Sequence, residues 1–302
     1  MPSSTSSFSS SSSSSWSSPV DPDYRVPTSD LDDDAAAVVL PRQAAAATVV
    51  SFLRTQKEVD EVCENYGVPK AHYTARPAGD LRASSPPPLG AVCVYAPALE
   101  AGMRVPLHGF FSQTLAHFGI APTQLTPNGW RIMAGFLALC RSDGVGVPPS
   151  LAVFRRFFRL SALDHKNQGW YFFRSRDSSG LRFTGMPSPS LISFRYWKHE
   201  FFFLSSPEPW PCPLEWGEPS KSSFQVPVLT GEENKSAAKL LRAHGGVAVD
   251  LRTYLSNSNL GITTTLPPPP SSIVSRHEGN WTSSETSSVS PVSWRADVGV
   301  AC

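Results

Sequence analysis

"LTPNGWRIMAGFLALC", residues 125–140, is the stretch on which the fold turns. Thr126 stands before Pro127, an N-cap followed by a proline at the first helical position, where a missing N–H removes no intrahelical bond. Trp130, Met133, Leu137 and Cys140 then recur at helical spacing, and Phe136 widens the stripe. The segment predicts a buried helix with a specified start.

Further helices flank it. In "VPLHGFFSQTLAHFGI" (105–120), Leu107, Phe110, Phe111, Leu115 and Phe118 keep helix spacing and Gly119 closes the run. "PSLAVFRRFFRL" (149–160) predicts a helix from Pro149-Ser150 with Leu151, Phe154 and Phe158 on one stripe and Arg155, Arg156 and Arg159 elsewhere. Upstream, "SFLRTQKEVDEVCENYGVP" (51–69) carries Thr55 as N-cap with Glu58 three residues on, a capping box, and stops at Gly67 and Pro69. "AVCVYAPAL" (91–99), after the proline-rich "SSPPPLG", is short and β-branched enough for a strand.

Beyond residue 160 the periodicity changes. "GWYFFRSR" (169–176) and "HEFFFL" (199–204) are aromatic runs typical of strands, with "DSSGLRFTGMP" and a Ser/Pro-rich loop between them. "PWPCPLEW" (209–216) is too proline-dense for a central strand and suits an extended wrap over a surface. "EENKSAAKLLRAHG" (232–245) has the acidic start and basic end that suit the helix dipole. The fold class is therefore α+β: a compact helical core of three or four helices followed by a small antiparallel β-hairpin or sheet, between disordered Ser/Pro-rich termini.

The termini follow from composition. Of residues 2–18, all but Pro2, Thr5, Phe8 and Trp16 are serine, and from about Ser256 onward Ser, Thr, Pro, Asn and Gly dominate. Such segments bury too little apolar surface to offset the entropy of ordering them. The expected organisation is a Ser-rich and acidic tail at 1–44, a folded domain at 45–230, a short helical remnant at 231–255 and a second tail at 256–302.

The formal charge of +1 conceals an asymmetry. Residues 1–100 hold 7 Lys/Arg against 12 Asp/Glu, including Asp32, Asp33 and Asp34, whereas residues 151–200 hold 9 against 3. A basic segment rich in aromatics can meet phosphates and stack on bases, although a solvated face over a core has the same composition. Cys63, Cys93, Cys140, Cys212 and Cys302 form no CxxC pair, the usage of a reducing compartment. No apolar run approaches the ~18 residues of a membrane span. The N-terminus has no apolar signal stretch, so the sequon Asn280-Trp281-Thr282 carries little meaning. A nuclear or cytoplasmic location, not secretion, is expected.

The ordered blocks "VPLHGFFSQTLAHFGI…LTPNGWRIMAGFLALCRSDGVGVPPSLAVFRRFFRL", "GWYFFRSR", "FTGMP", "WKHEFFFL" and "PLEW" resemble the plant gypsy-type transposon domain family, associated with long-terminal-repeat retrotransposons. The resemblance covers roughly residues 45–220. It implies a mobile-element origin and no defined mechanism. Family members often continue into a long charged helical region, here reduced to about Glu232–Ala243, so this copy reads as truncated and a coiled coil is not expected.

No catalytic constellation stands out. Asp164 and Glu200 have the 35-residue separation familiar from DDE enzymes, which hold two metal ions on three carboxylates. With 25 acidic residues such a spacing arises by chance, and Glu200 falls in the expected strand "KHEFFFL" rather than on a helix. Reverse-transcriptase and protease signatures are absent, and Cys212 has only His199 near it, short of a zinc knuckle. His108, His117 and His165 lack a Cys or Ser partner at a catalytic spacing, and Gly144 and Gly146 form no phosphate loop. The expectation is no enzyme, no cofactor, no metal and no small-molecule substrate.

Three functional readings remain. The first is a non-catalytic, gag-like structural or binding protein of retrotransposon origin. The second is a nucleic-acid-binding module using residues 155–198, with Arg155, Arg156, Arg159, Arg174, Arg176, Arg182, Arg195 and Lys198 as contacts; three helices and a hairpin also follow the element order of a winged helix. The third is a degenerate reading frame without selected function. Partners on these readings are nucleic acid or a second copy, not a membrane.

Overall fold

In the computed structural model, residues 46–163, 168–187 and 196–255 are described. The two tails expected at 1–44 and 256–302 lie outside them, as do Asp164, His165, Arg195 and Cys302. Every described residue belongs to one compact unit, Arg42–Cys302.

The elements run α1 (Gln56–Asn65), β1 (Thr74–Pro77), β2 (Ala91–Tyr95), α2 (Ala96–Glu100), α3 (Gly109–Phe118), α4 (Pro127–Arg141), α5 (Leu151–Phe157), β3 (Phe158–Ala162), β4 (Tyr171–Ser175), β5 (Arg182–Thr184), β6 (Phe201–Ser205), α6 (Gly231–His244), β7 (Ala248–Asp250) and α7 (Leu251–Tyr254). The α+β class is as expected, and the helix starts are as the caps dictate. The Thr55–Glu58 capping box is present at α1, Thr126 Oγ1 accepts from Gly129 N–H at α4, and a second capping box joins Thr230 and Glu233 at α6. Gly119 ends α3 in the left-handed conformation, φ 64°, which costs a residue without Cβ nothing.

The centre of the domain is α4. All of its residues except Asn128 and Arg141 are buried. A helix apolar all round must be enclosed all round. Trp130 meets Phe111 of α3 edge-on at 5.6 Å, and Phe136 meets Phe110 of α3 at 5.5 Å and Phe154 of α5 at 5.2 Å. On another side Gly135 lets α7 and β5 approach: a Cβ there would lie 2.5 Å from Leu251 Cδ2 and 3.5 Å from the Phe183 ring. The one buried charge on α4, Arg131, is paired, donating to Glu100 Oε1 at 2.9 Å and to Asn128 Oδ1 at 3.2 Å.

The strands assemble differently from a hairpin of the two aromatic runs. "YFFRS" (β4) pairs antiparallel with β3, whereas "FFFLS" (β6) lies between β1 and β2, antiparallel to both. β3 is itself a correction. The helix expected to run through Phe158 and Arg159 ends at Phe157, because Phe158 and Leu160 bury on one side of an extended segment that hydrogen-bonds to β4. The intervening stretch "DSSGLRFTGMP" contains β5, which pairs in parallel with β7. The wrap expected of "PWPCPLEW" is observed: Trp210 Nε1 donates to Gly90 O at 3.2 Å, and Trp216 Nε1 to Thr123 Oγ1 at 2.9 Å. Among the described residues, no helix is long and apolar enough to cross a membrane.

Phe154 is fully buried and stands within 4.8–5.4 Å, centroid to centroid, of Phe110, Phe136, Phe158 and Phe173, so it joins three helices to the hairpin. Phe154→Ala is expected to lower the unfolding free energy by about 3–5 kcal/mol, measured by urea denaturation. A loss below about 1 kcal/mol would show that the cluster is not the junction it appears.

Candidate functional site

Five of the eight basic residues singled out in the sequence come together where α5 runs into the β3–β4 hairpin. Ser150 caps α5, its Oγ accepting from Val153 N–H. The helix buries Val153, Phe154 and Phe157, leaving Arg155 half-buried and Arg156 exposed. In β3 the period of two then buries Phe158 and Leu160 and sends Arg159 to the opposite face. The antiparallel register sets Arg159 directly opposite Arg174. Arg176 extends the ladder by one step, its N–H donating to Phe157 O at 2.8 Å.

These arginines are positioned but not neutralised. Arg155 Nη2 donates to the carbonyls of Ser223 (3.1 Å) and Gln225 (2.7 Å). Arg176 Nε donates to Arg155 O at 2.9 Å and its Nη2 to Phe224 O at 3.4 Å. Among the described residues none of Arg155, Arg156, Arg159, Arg174 or Arg176 forms an ion pair. The Nε–H groups of Arg155, Arg159 and Arg174 are buried without an acceptor. Burial first, then the positive charges of Arg159, Arg155 and Arg156, holds the Arg176 guanidinium below its usual range. Like charges directly opposite across a hairpin cost stability, and a buried donor without an acceptor costs more. An oxyanion meeting these guanidinium groups would offset the like-charge cost through charge-assisted hydrogen bonds.

Two of the other three basic residues are elsewhere. Arg182 is an exposed residue of β5, and Lys198 Nζ sits over the Trp170 ring at 4.1 Å and 5.6 Å from the Trp197 ring, an aromatic berth. Arg195 lies outside the described residues. Sequence reading missed the segment 221–225, whose carbonyls hold Arg155 and Arg176; it forms a short 3-10 turn (Lys221–Phe224) with no signal linking it to α5.

Burial pushes the thiols of Cys63 up to about 11 and of Cys140 and Cys212 to about 12, and Cys93 higher still, so none is a ready thiolate. His108 Nδ1 accepts from Phe110 N–H at 3.1 Å, making it the N-cap of α3. Glu200 stands just before β6 rather than within it, because a 3-10 turn (Trp197–His199) occupies the preceding residues; its carboxyl is raised by burial and then by Glu100. Its sequence partner Asp164 lies outside the described residues. Among the described residues there is no group of three or more His, Cys, Asp or Glu placed to hold a metal ion.

Residues 92–162 match the family model described as "Putative gypsy type transposon". The match runs from β2 to the last residue of β3, and so takes in α2 to α5 and two of the five clustered arginines' supporting elements, α5 and β3. The chain thus carries a transposon-related domain, and the resemblance seen in its sequence blocks is shown over that stretch. No curated protein and no solved structure matches the chain.

His108, His117 and His244 are each held below the ordinary imidazole value of 6.5, chiefly by burial, with Arg141 acting second on His108 and Arg155 second on His117. The fold prefers them neutral, while the unfolded chain takes up protons first as pH falls. Their contribution is therefore full above about 6.5 and is lost as pH drops through and below that value. Thermal unfolding is expected at lower temperature at pH 5.5 than at pH 7.5, and His244→Gln should reduce the difference. An unchanged or rising midpoint toward pH 5.5 would refute this. Glu200, raised by burial, works in the opposite direction at lower pH.

Proposed function

We propose that the chain is a non-catalytic, retrotransposon-derived protein of plants, gag-like in role and nuclear or cytoplasmic in location, that binds nucleic acid through the arginine face of α5, β3 and β4. One observation carries this reading: five arginines are gathered on one face, two of them opposed in register, with no carboxylate paired to any among the described residues. A merely solvated basic face tends to be laced with acidic partners, and its cations stand apart. Here the fold accepts repulsion to keep the cations together, the pattern expected where an anionic partner supplies the missing charge. Raised thiols and a histidine used as a helix cap support a role in binding rather than catalysis.

The competing reading is self-association, favoured by Val226 and Val228, exposed apolar residues in the segment that follows Gln225. Fluorescence anisotropy of a labelled oligonucleotide with the full chain, titrated with salt, separates the two. Binding is expected at low salt with log K falling linearly with log salt. The double variant Arg159→Gln/Arg174→Gln should flatten that slope by about 1–2 while leaving the thermal midpoint equal or higher, since repulsion is removed. Absence of binding at low salt, or a slope of zero, would overturn the reading; a concentration-dependent dimer without nucleic-acid affinity would favour self-association.

A further inference from the structure

The same face carries a second kind of contact. The 3-10 turn Lys221–Phe224 presents the ring of Phe224 to solvent, 41% exposed, while its main chain is fixed on both sides. Arg155 Nη2 holds the carbonyls of Ser223 and Gln225, one on each flank of the aromatic residue. Ser223 Oγ donates to Ser220 O at 2.7 Å, and the His117 ring lies 3.4 Å from Ser223 O. One side of the ring turns toward Phe118, centroid separation 6.4 Å. An exposed aromatic on a chain clamped by arginines loses little freedom when something stacks on it, which lowers the cost of binding.

We propose that the arginine face takes single-stranded nucleic acid in preference to duplex, with a base stacked on Phe224 and the adjoining phosphates on Arg159, Arg174 and Arg176. This rests on the nucleic-acid reading above and adds the form of the strand. A duplex keeps its base faces within its own stack and offers such a site only phosphates. A single strand offers phosphates and free π faces together, the two features that cationic clusters and exposed aromatics recognise in combination. The hydrogen bonds that Arg155 and Arg176 make to the 223–225 carbonyls fix the ring beside the cations and leave the positive charges uncompensated. Arg155 and Arg176 are therefore positioning residues for Phe224 as well as part of the basic field.

The test uses the full chain with labelled oligo(dT) and a mixed-sequence duplex of equal length, at one low salt concentration and along a salt series. Oligo(dT) is expected to bind more tightly than duplex. Phe224→Ala should weaken oligo(dT) roughly 5- to 150-fold and leave duplex affinity and the salt slope unchanged. Phe224→Trp should retain or tighten oligo(dT) binding, whereas Phe224→Leu, apolar but without a π face, should behave as the alanine variant; these two keep the test decisive should the alanine variant fold poorly. Equal affinity for both forms, with all three variants like the parent, overturns the single-strand proposal and leaves the nucleic-acid reading standing. Failure of both oligonucleotides to bind overturns both. If Phe224→Ala instead shifts the sedimentation coefficient and no oligonucleotide affinity, the ring belongs to a protein contact and the proposal falls.

Discussion

A helix with water at only its two ends has to be covered on every side, and that requirement organises this domain. α4 is enclosed by α2 through the Arg131–Glu100 pair, by α3 and α5 through phenylalanines, and by β5 and α7 through the notch left at Gly135. Covering it draws in chain from both sides of the sequence, since α2 and α3 precede it and α5, β4, β5 and α7 follow. An aromatic-rich sequence meets this need well, because each ring buries a large area with few rotamers to freeze.

Polar anchoring keeps this packing in one arrangement. Gln124, buried in the turn before α4, uses its whole amide: Oε1 accepts from Ala121 and Gly217 N–H, and Nε2 donates to the carbonyls of Gly169 and Gly217. It thereby ties the start of α4 to the strand region and to the wrapping segment after β6. Trp170 Nε1 donates to Tyr95 Oη at 3.2 Å in the same buried zone. Fully satisfied buried groups of this kind cost nothing in desolvation beyond what their bonds return, and they penalise alternative packings that leave them unpaired.

The arginine face departs from that economy. Elsewhere among the described residues, buried side-chain donors and acceptors find partners; the three that do not are the Nε–H groups of Arg155, Arg159 and Arg174. Two of these stand opposite one another in a ladder whose other face is core. Because Phe158 and Leu160 must point inward, Arg159 must point outward, and the register of β4 brings Arg174 against it. The cluster is a consequence of packing on the inner face, and it is the place where the fold holds like charges together at a cost in stability.

Local chemistry was legible in the chain. Thr55 with Glu58, Thr126 with Pro127, and Gly119 after Phe118 each mark a helix end through contacts within a few residues, so the sequence determined where α1, α3 and α4 begin or stop. It also determined the buried face of α4 and the basic content of residues 155–198, although not which of those cations would meet. Pairing was decided by tertiary structure. "FFFLS" is flanked by β1 and β2, more than a hundred residues earlier, and "FRLSA" reads as the end of a helix until β4 offers it a ladder. Helical spacing at Phe154 and Phe158 and strand alternation at Phe158 and Leu160 coincide on one segment, and only the hydrogen-bonding partner settles between them. The same partner choice put Arg159 against Arg174 and Arg155 against residues 223–225, contacts set by distance in space that no spacing along the chain encodes.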